Sequence, residues 1–159
     1  NTWKYKLIMK NFKRGFAFLE ILIVLAVTVL LIAIILPSFT TMRNNQILKS
    51  ATTDIFSALD KARSQSLSSI NSSEYGVHFE SSQIVIFKGI TYSSSDTNNE
   101  DIAIYSPALI SNINLTGGAT ELYFDRLSGA PNKTGDITIS ISSLTKTVTI
   151  FATGAVSMN

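Results

Sequence analysis

Glu20 is the ionisable residue in the most apolar setting of this chain. Between Ile21 and Leu36 the only polar side chain is that of Thr28. A carboxylate near the centre of a bilayer costs about 2.5–3.5 kcal/mol on insertion scales, so it normally has a partner or a task. Two interpretations of Glu20 stay open from physics alone: it pairs with a cation inside the apolar layer, or it lies near the interface and reaches water.

The other reactive side chains favour no catalytic site. The chain has no cysteine, which excludes a disulfide and a thiolate site, and His78 is its single histidine, which argues against a zinc site of His and Cys. We find no G-x-S-x-G elbow and no glycine-rich phosphate-binding motif. His78 alternates outward on a predicted strand, as a surface or cross-strand residue does. We therefore expect no enzymatic activity, no cofactor and no metal.

The acidic segment from Ser93 to Asp101 contains Asp96, Glu100 and Asp101. Calcium needs about 6–8 oxygen ligands, which an acidic loop can supply. The spacing matches no established calcium loop, so we expect a solvated loop here.

The segment from Phe16 to Leu36 has the length of a membrane span. Its 21 residues would form a helix of roughly 30 Å, the thickness of a hydrocarbon core. Its apolar side chains cover every side of that helix, which therefore belongs in lipid or inside a bundle. The apolar region of a secretory signal peptide is shorter, about 7–15 residues, and ends at a cleavage site of small residues that is missing here. An uncut membrane anchor is the remaining alternative.

Charge is distributed unevenly along the chain. The 13 basic and 11 acidic residues give a formal net charge of +2, but five basic residues and no acidic ones precede Phe16. Without those five the charge is −3. By the positive-inside tendency the N-terminus stays cytoplasmic and the C-terminal part is exported. The overall basic balance therefore does not indicate nucleic-acid binding.

Beyond Pro37 the pattern predicts a helix and then strands. An amphipathic stripe recurs every three or four residues: Leu48, Ala51, Ile55, Leu59, Ala62 and Ser66. Apolar and polar residues then alternate around 75–79, 84–86, 121–125, 137–141 and 147–150, as in half-buried antiparallel strands. We expect an α+β fold with one long helix, from about Phe16 to about Ser69 and bent near Pro37, packed on an antiparallel β-sheet.

The residues around Gly15 resemble the processing and methylation motif of type IV prepilins and type II secretion pseudopilins. In that family a basic leader ends in Gly, the next residue is usually Phe, and a Glu stands fifth in the mature chain. Gly15, Phe16 and Glu20 match these positions, and Pro37 is the 22nd residue from Phe16, where the family often has Pro. Ala17 and Phe18 depart mildly from the usual Thr and aliphatic residues.

The resemblance implies a role for each motif residue. A membrane prepilin peptidase would cut after Gly15 and methylate the new amine of Phe16. Glu20 would pair with that amine in a neighbouring subunit during filament assembly. Residues 1–15 would be the leader, or Met9 to Gly15 if translation starts at Met9. The remaining segments would be a transmembrane and filament-core helix at 16–36, its exported amphipathic half at 37–70 and a β domain at 71–159.

A second, less specific resemblance concerns 57–66 and 75–79, which are similar to GspH/FimT-type minor pseudopilins and minor pilins. It implies a pilin-like fold and a structural role in a type II secretion pseudopilus or a type IV pilus. The partners would be other pilin subunits, the peptidase, the assembly platform and lipid of the bacterial inner membrane. The protein would cross that membrane once, with its C-terminal domain periplasmic or extracytoplasmic, before it enters the filament.

The alternatives are a DNA-binding minor pilin for DNA uptake and a membrane-anchored enzyme or binding domain. Nucleic acid is not an expected partner, because the tail 151–159 has no basic residue.

Overall fold

The computed structural model describes the backbone of residues 3–159 and the side chains of 17–35 and 39–159. The chain begins with helix α1, Trp3–Leu67, followed by a short 3-10 turn, Ile70–Ser72. Eight strands follow: β1 Tyr75–Phe79, β2 Gln83–Lys88, β3 Glu100–Ala103, β4 Leu109–Leu115, β5 Glu121–Phe124, β6 Gly135–Ile141, β7 Leu144–Ile150 and β8 Val156–Met158. The fold is therefore α+β. The chain divides into two compact units, Asn1–Met42 and Arg43–Asn159, and we call the second the globular unit.

The prediction of one long N-terminal helix is confirmed by α1, although the helix begins at Trp3 and not near Phe16, and it ends at Leu67, close to the expected end near Ser69. Within the globular unit the amphipathic stripe is its buried face, since Leu48, Ile55 and Leu59 are at most 2% exposed. An apolar residue every three or four positions gives a helix one continuous face to bury. The bend expected at Pro37 falls outside the residues whose side chains are described.

The strands form two sheets, which corrects the expectation of a single sheet. One sheet has the order β3-β2-β1-β5 and the other β4-β6-β7-β8, with every neighbouring pair antiparallel. The expected hairpin of β1 and β2 is confirmed, with Phe79 opposite Ile84. Strand pairing depends on contacts far apart in sequence, so the periodicity of each strand did not reveal that the strands divide into two sheets.

One apolar core lies between the stripe of α1 and the two sheets. It includes Val77 and Leu122 from the first sheet and Ile137 and Val148 from the second, each 0% exposed. Alternate residues of a strand face opposite sides, which is why these positions repeat every second residue.

Three strands were missed by the sequence analysis: β3, β4 and β8. Strand β3 also corrects the expected loop from Ser93 to Asp101, because Glu100 and Asp101 pair with Ile86 and Val85 of β2. These two carboxylates therefore belong to an edge strand and not to a solvated loop.

The end of α1 is fixed by Ser66, the last residue of the stripe. Its side chain is buried, and its Oγ accepts a hydrogen bond of 2.9 Å from the backbone N–H of Tyr75. Its carbonyl oxygen accepts hydrogen bonds from the backbone N–H groups of Ser69 and Leu127. The helix end is thus connected both to the start of β1 and to the turn after β5.

Candidate functional site on the exposed apolar helix

The described part of α1 before the globular unit presents apolar side chains to its surroundings on all sides. Fourteen large apolar side chains between residues 17 and 35 are exposed, from 47% for Leu22 to 73% for Ile34. They are Phe18, Leu19, Ile21, Leu22, Ile23, Val24, Leu25, Val27, Val29, Leu30, Leu31, Ile32, Ile34 and Ile35. Among the described residues, α1 is the one helix that is both long enough and apolar enough to cross a membrane. Its most apolar stretch is not buried within the chain.

The polar side chain inside this surface is satisfied locally. The Thr28 hydroxyl donates a hydrogen bond of 2.7 Å to the carbonyl oxygen of Val24, one turn earlier on the same helix. An unpaired polar group costs several kcal/mol in hydrocarbon, roughly 4–8 for an amide or hydroxyl moved to a medium that cannot hydrogen-bond. The Thr28 contact removes that cost without a partner outside the helix.

Glu20 is the charged side chain within the same surface. It is exposed, and it makes no hydrogen bond or ion pair with any residue whose side chain the structure describes. Its carboxylate is therefore available to a group from another molecule. The other predicted motif residues, Gly15, Phe16 and Pro37, lie outside the residues whose side chains are described.

The globular unit brings His78 together with residues from other strands. Its side chain is 16% exposed and lies opposite Glu121 of β5, with 3.4 Å between the histidine Nδ1 and the carboxylate Oε2. The structure thus places His78 as a cross-strand residue. The two residues are 43 positions apart, and nothing local in the sequence indicates their contact.

The acidic segment contains a turn that is held by hydrogen bonds between Asp96 and Asn98. One carboxylate oxygen of Asp96 accepts hydrogen bonds from both the backbone N–H and the side-chain amide of Asn98, at 2.9 and 2.7 Å. These bonds lower the pKa of Asp96, the backbone bond most, because they stabilise the ionised form. Within the described residues, no group of three or more His, Asp or Glu side chains could hold a metal ion.

Several basic side chains of the globular unit are used in internal contacts. Lys61 pairs with Glu100 at 2.6 Å. Arg63 donates to the carbonyl oxygens of Gly129 and Thr153, Arg126 to that of Ser72, and Lys133 to that of Glu121. These contacts hold loops and strands together.

Comparisons of this chain with models of known protein families, with curated proteins and with solved structures found no match.

Proposed function

We propose that this chain is a minor pseudopilin or minor pilin, a structural subunit of a type II secretion pseudopilus or a type IV pilus that acts in protein secretion or pilus assembly. The observation that carries the proposal is the exposed apolar part of α1, residues 17–35, which contains Glu20 and directly follows the Gly15-Phe16 pair of the prepilin-like sequence. In this proposal the protein has no enzymatic activity, and it works by moving its helix from the membrane into a filament.

The apolar helix needs an environment other than water. Fully burying one Val, Leu, Ile or Phe side chain gains about 1.5–3 kcal/mol, so fourteen half-exposed side chains represent roughly ten kcal/mol or more. Lipid removes this cost first, and sister helices in the filament core would remove it afterwards. Because lipid tails are about as apolar as these side chains, the exchange between the two environments involves little net hydrophobic free energy.

Because transfer of the helix from lipid to the filament core involves little net hydrophobic free energy, a specific contact must favour the filament and fix the axial register of neighbouring helices. The Glu20 carboxylate supplies a charge at a fixed depth in the apolar layer. The amine of Phe16, freed by cleavage after Gly15, would be its partner in the next subunit. In low dielectric such a pair is strongly favoured over two separated charges, so it would select one axial offset between neighbouring helices.

The described residues offer no observation that favours the DNA-uptake alternative. Arg126 and Lys133, two basic residues of the globular unit, donate hydrogen bonds to backbone carbonyl oxygens of their own chain. We therefore retain the structural role as the single proposal.

The processing step is tested by expressing the chain in bacteria with and without a prepilin peptidase and measuring the intact mass of the membrane-bound product. We expect a chain that begins at Phe16 and carries one additional methyl group only when the peptidase is present. A chain that keeps the bond between Gly15 and Phe16 in cells with active peptidase would contradict the proposal.

The assembly step is tested with Glu20→Ala. We expect normal membrane insertion but a fall of roughly tenfold or more in the amount recovered in sheared filaments, because leaving one charge of a buried pair unpartnered costs about 3–5 kcal/mol. The matched control is Thr28→Val, which removes a polar group from the same helix whose hydroxyl bonds internally to Val24. Filament recovery of Glu20→Ala equal to that of the control would refute the role of Glu20.

A further inference from the structure

The segment between β2 and β3, residues 89–99, covers the outer face of the first sheet, and we call it the strap. On β2, Ile84 and Ile86 belong to the main core, whereas Val85 and Phe87 alternate to the opposite face. Both are nevertheless at most 1% exposed. The ring of Tyr92 from the strap lies against Phe87, with 5.9 Å between the centroids. The strap thus closes a second, small apolar layer.

The outer face also carries His78, on which the strap rests. The rings of His78 and Tyr92 are stacked, with centroids 4.0 Å apart and an angle of 11° between the planes. Across the sheet, Glu121, His78, Val85 and Asp101 lie in one row from β5 to β3. The strap therefore contacts the sheet through the imidazole of His78, and carboxylates lie on the same face of the sheet.

Each nitrogen of the His78 ring faces a different carboxylate. Nδ1 is 3.4 Å from Oε2 of Glu121, and Nε2 is 3.6 Å from Oε1 of Glu80. Nδ1 is buried and has no hydrogen-bond partner within the described residues. Since the two carboxylates lie at opposite nitrogens of one ring, this arrangement suits a charged imidazole better than a shared metal ion.

The protonation state of the ring decides how well it fits between these groups. A neutral imidazole has one N–H donor and one acceptor nitrogen, so one nitrogen must direct its lone pair at a carboxylate, which can only accept. An imidazolium carries an N–H on both nitrogens, and its charge is attracted to both carboxylates. The contacts of the ring therefore depend on its charge, which pH can change.

We propose that His78 is a pH-sensitive latch, which in its protonated form holds the strap more tightly on the outer face of the first sheet. The inference is independent of the proposed filament role, because it concerns only residues of the globular unit. Loosening of the strap at higher pH would give access to the apolar layer of Val85 and Phe87.

The other charged groups around the ring are consistent with this assignment. The Glu80 carboxylate is held by the Gln83 side-chain amide at 2.9 Å, and Lys133 donates to the backbone oxygen of Glu121 at 3.2 Å, not to its carboxylate. Desolvation, and then the charges of Glu80 and Asp101, raise the pKa of Tyr92, so this phenol stays neutral through the range in which imidazoles titrate.

The latch is tested by amide hydrogen exchange of the full chain in detergent micelles at about pH 5.5 and about pH 8, a range that spans imidazole titration while carboxylates remain ionised. The reporters are the hydrogen-bonded amides of Gly89, Asp96 and Asn99, with those of Ile139 and Val148 as an internal reference. After correction for intrinsic exchange, we expect strap protection to be roughly two- to fivefold higher at the lower pH, the range for a partly exposed ion pair. In the His78→Gln variant, the ratio of strap protection at the lower pH to that at the higher pH should be close to one.

Two results would overturn the latch: equal strap protection at both pH values in the wild type, or an unchanged ratio in His78→Gln. If His78→Gln does not fold, Glu121→Gln and Glu80→Gln decide the question, because each keeps the imidazole and removes one partner. A reduced ratio in either variant supports the latch. An unchanged ratio in both overturns it.

Discussion

Gly76 on β1 shows how a single residue makes room for the layer beneath the strap. A Cβ built at Gly76 would overlap the ring of Phe87 and lie 2.5 Å from the carbonyl oxygen of Leu122. The glycine therefore lets the Phe87 ring lie directly on the backbone of the neighbouring strand. Its backbone is an ordinary strand conformation, so the requirement comes from space and not from φ.

We expect Gly76→Ala to lower the free energy of unfolding by about 1–3 kcal/mol, the usual cost of inserting a methyl group into a packed site. The measurement is urea unfolding of the full chain in detergent, followed by tyrosine fluorescence. In a Phe87→Leu background the cost should shrink, because part of the overlap is gone. Strict additivity of the two substitutions would show that the Phe87 ring is not the reason for the glycine.

The two candidate functional residues differ in how far the sequence could reveal them. Glu20 was predictable, because a carboxylate beside a long run of apolar residues is evident from the sequence alone. The surroundings of His78 were not, because Glu121 and Tyr92 come from segments whose positions depend on strand pairing. Single-residue chemistry can be inferred from the sequence, but a cluster depends on the folded topology.

At the scale of elements, strands were predicted wherever alternation was regular. Strand β4 was missed because a bulge between Ile110 and Asn112 interrupts its period of two. Strand β3 is an edge strand with little burial, and β8 has three residues, so neither contains an alternating apolar pattern long enough to detect. The long helix was predictable because its stripe extends over several turns.

Arg63 connects α1 with turns that follow strands of both sheets. Its Nε and Nη2 donate to the carbonyl oxygens of Gly129, after β5, and Thr153, after β7, at 3.2 and 3.3 Å. Gly154 is buried with a φ of +78°, and a Cβ there would lie 2.6 Å from the Arg63 Nε. A close approach and a left-handed backbone both favour glycine at this position.

We expect Arg63→Met to lower the free energy of unfolding by about 1–2 kcal/mol, because it keeps the aliphatic stem and removes two long, partly exposed hydrogen bonds from a charged donor. Chemical denaturation of the full chain measures this directly. The matched control is Arg43→Met on the same helix, where an exposed substitution should stay within about 0.5 kcal/mol. Equal effects of the two substitutions would exclude a connecting role for Arg63.

At the scale of the whole molecule, the exposed apolar surface of α1 and the buried core lie in different parts of the chain. The residues that form the core belong to the globular unit, whereas the fourteen exposed apolar side chains belong to the part of α1 before it. The globular unit can therefore fold around its own core, and insertion of the apolar helix can be altered independently of that core.

The double substitution Val27→Arg and Leu30→Arg tests this separation. The twelve large apolar residues that remain favour insertion by about 4–7 kcal/mol at roughly 0.3–0.6 kcal/mol each, and the two arginines near the centre oppose it by about 5–7 kcal/mol, so the net gain from insertion falls to about zero. We expect the variant to be lost from the membrane fraction in flotation assays, while Val27→Leu with Leu30→Ile floats like the wild type. The hydrogen-exchange protection of β6 and β7 should be unchanged in both, because none of the core residues is altered. Loss of that protection in the arginine variant would show that the globular unit depends on the inserted helix for its stability, and the independence of the two parts would then be wrong.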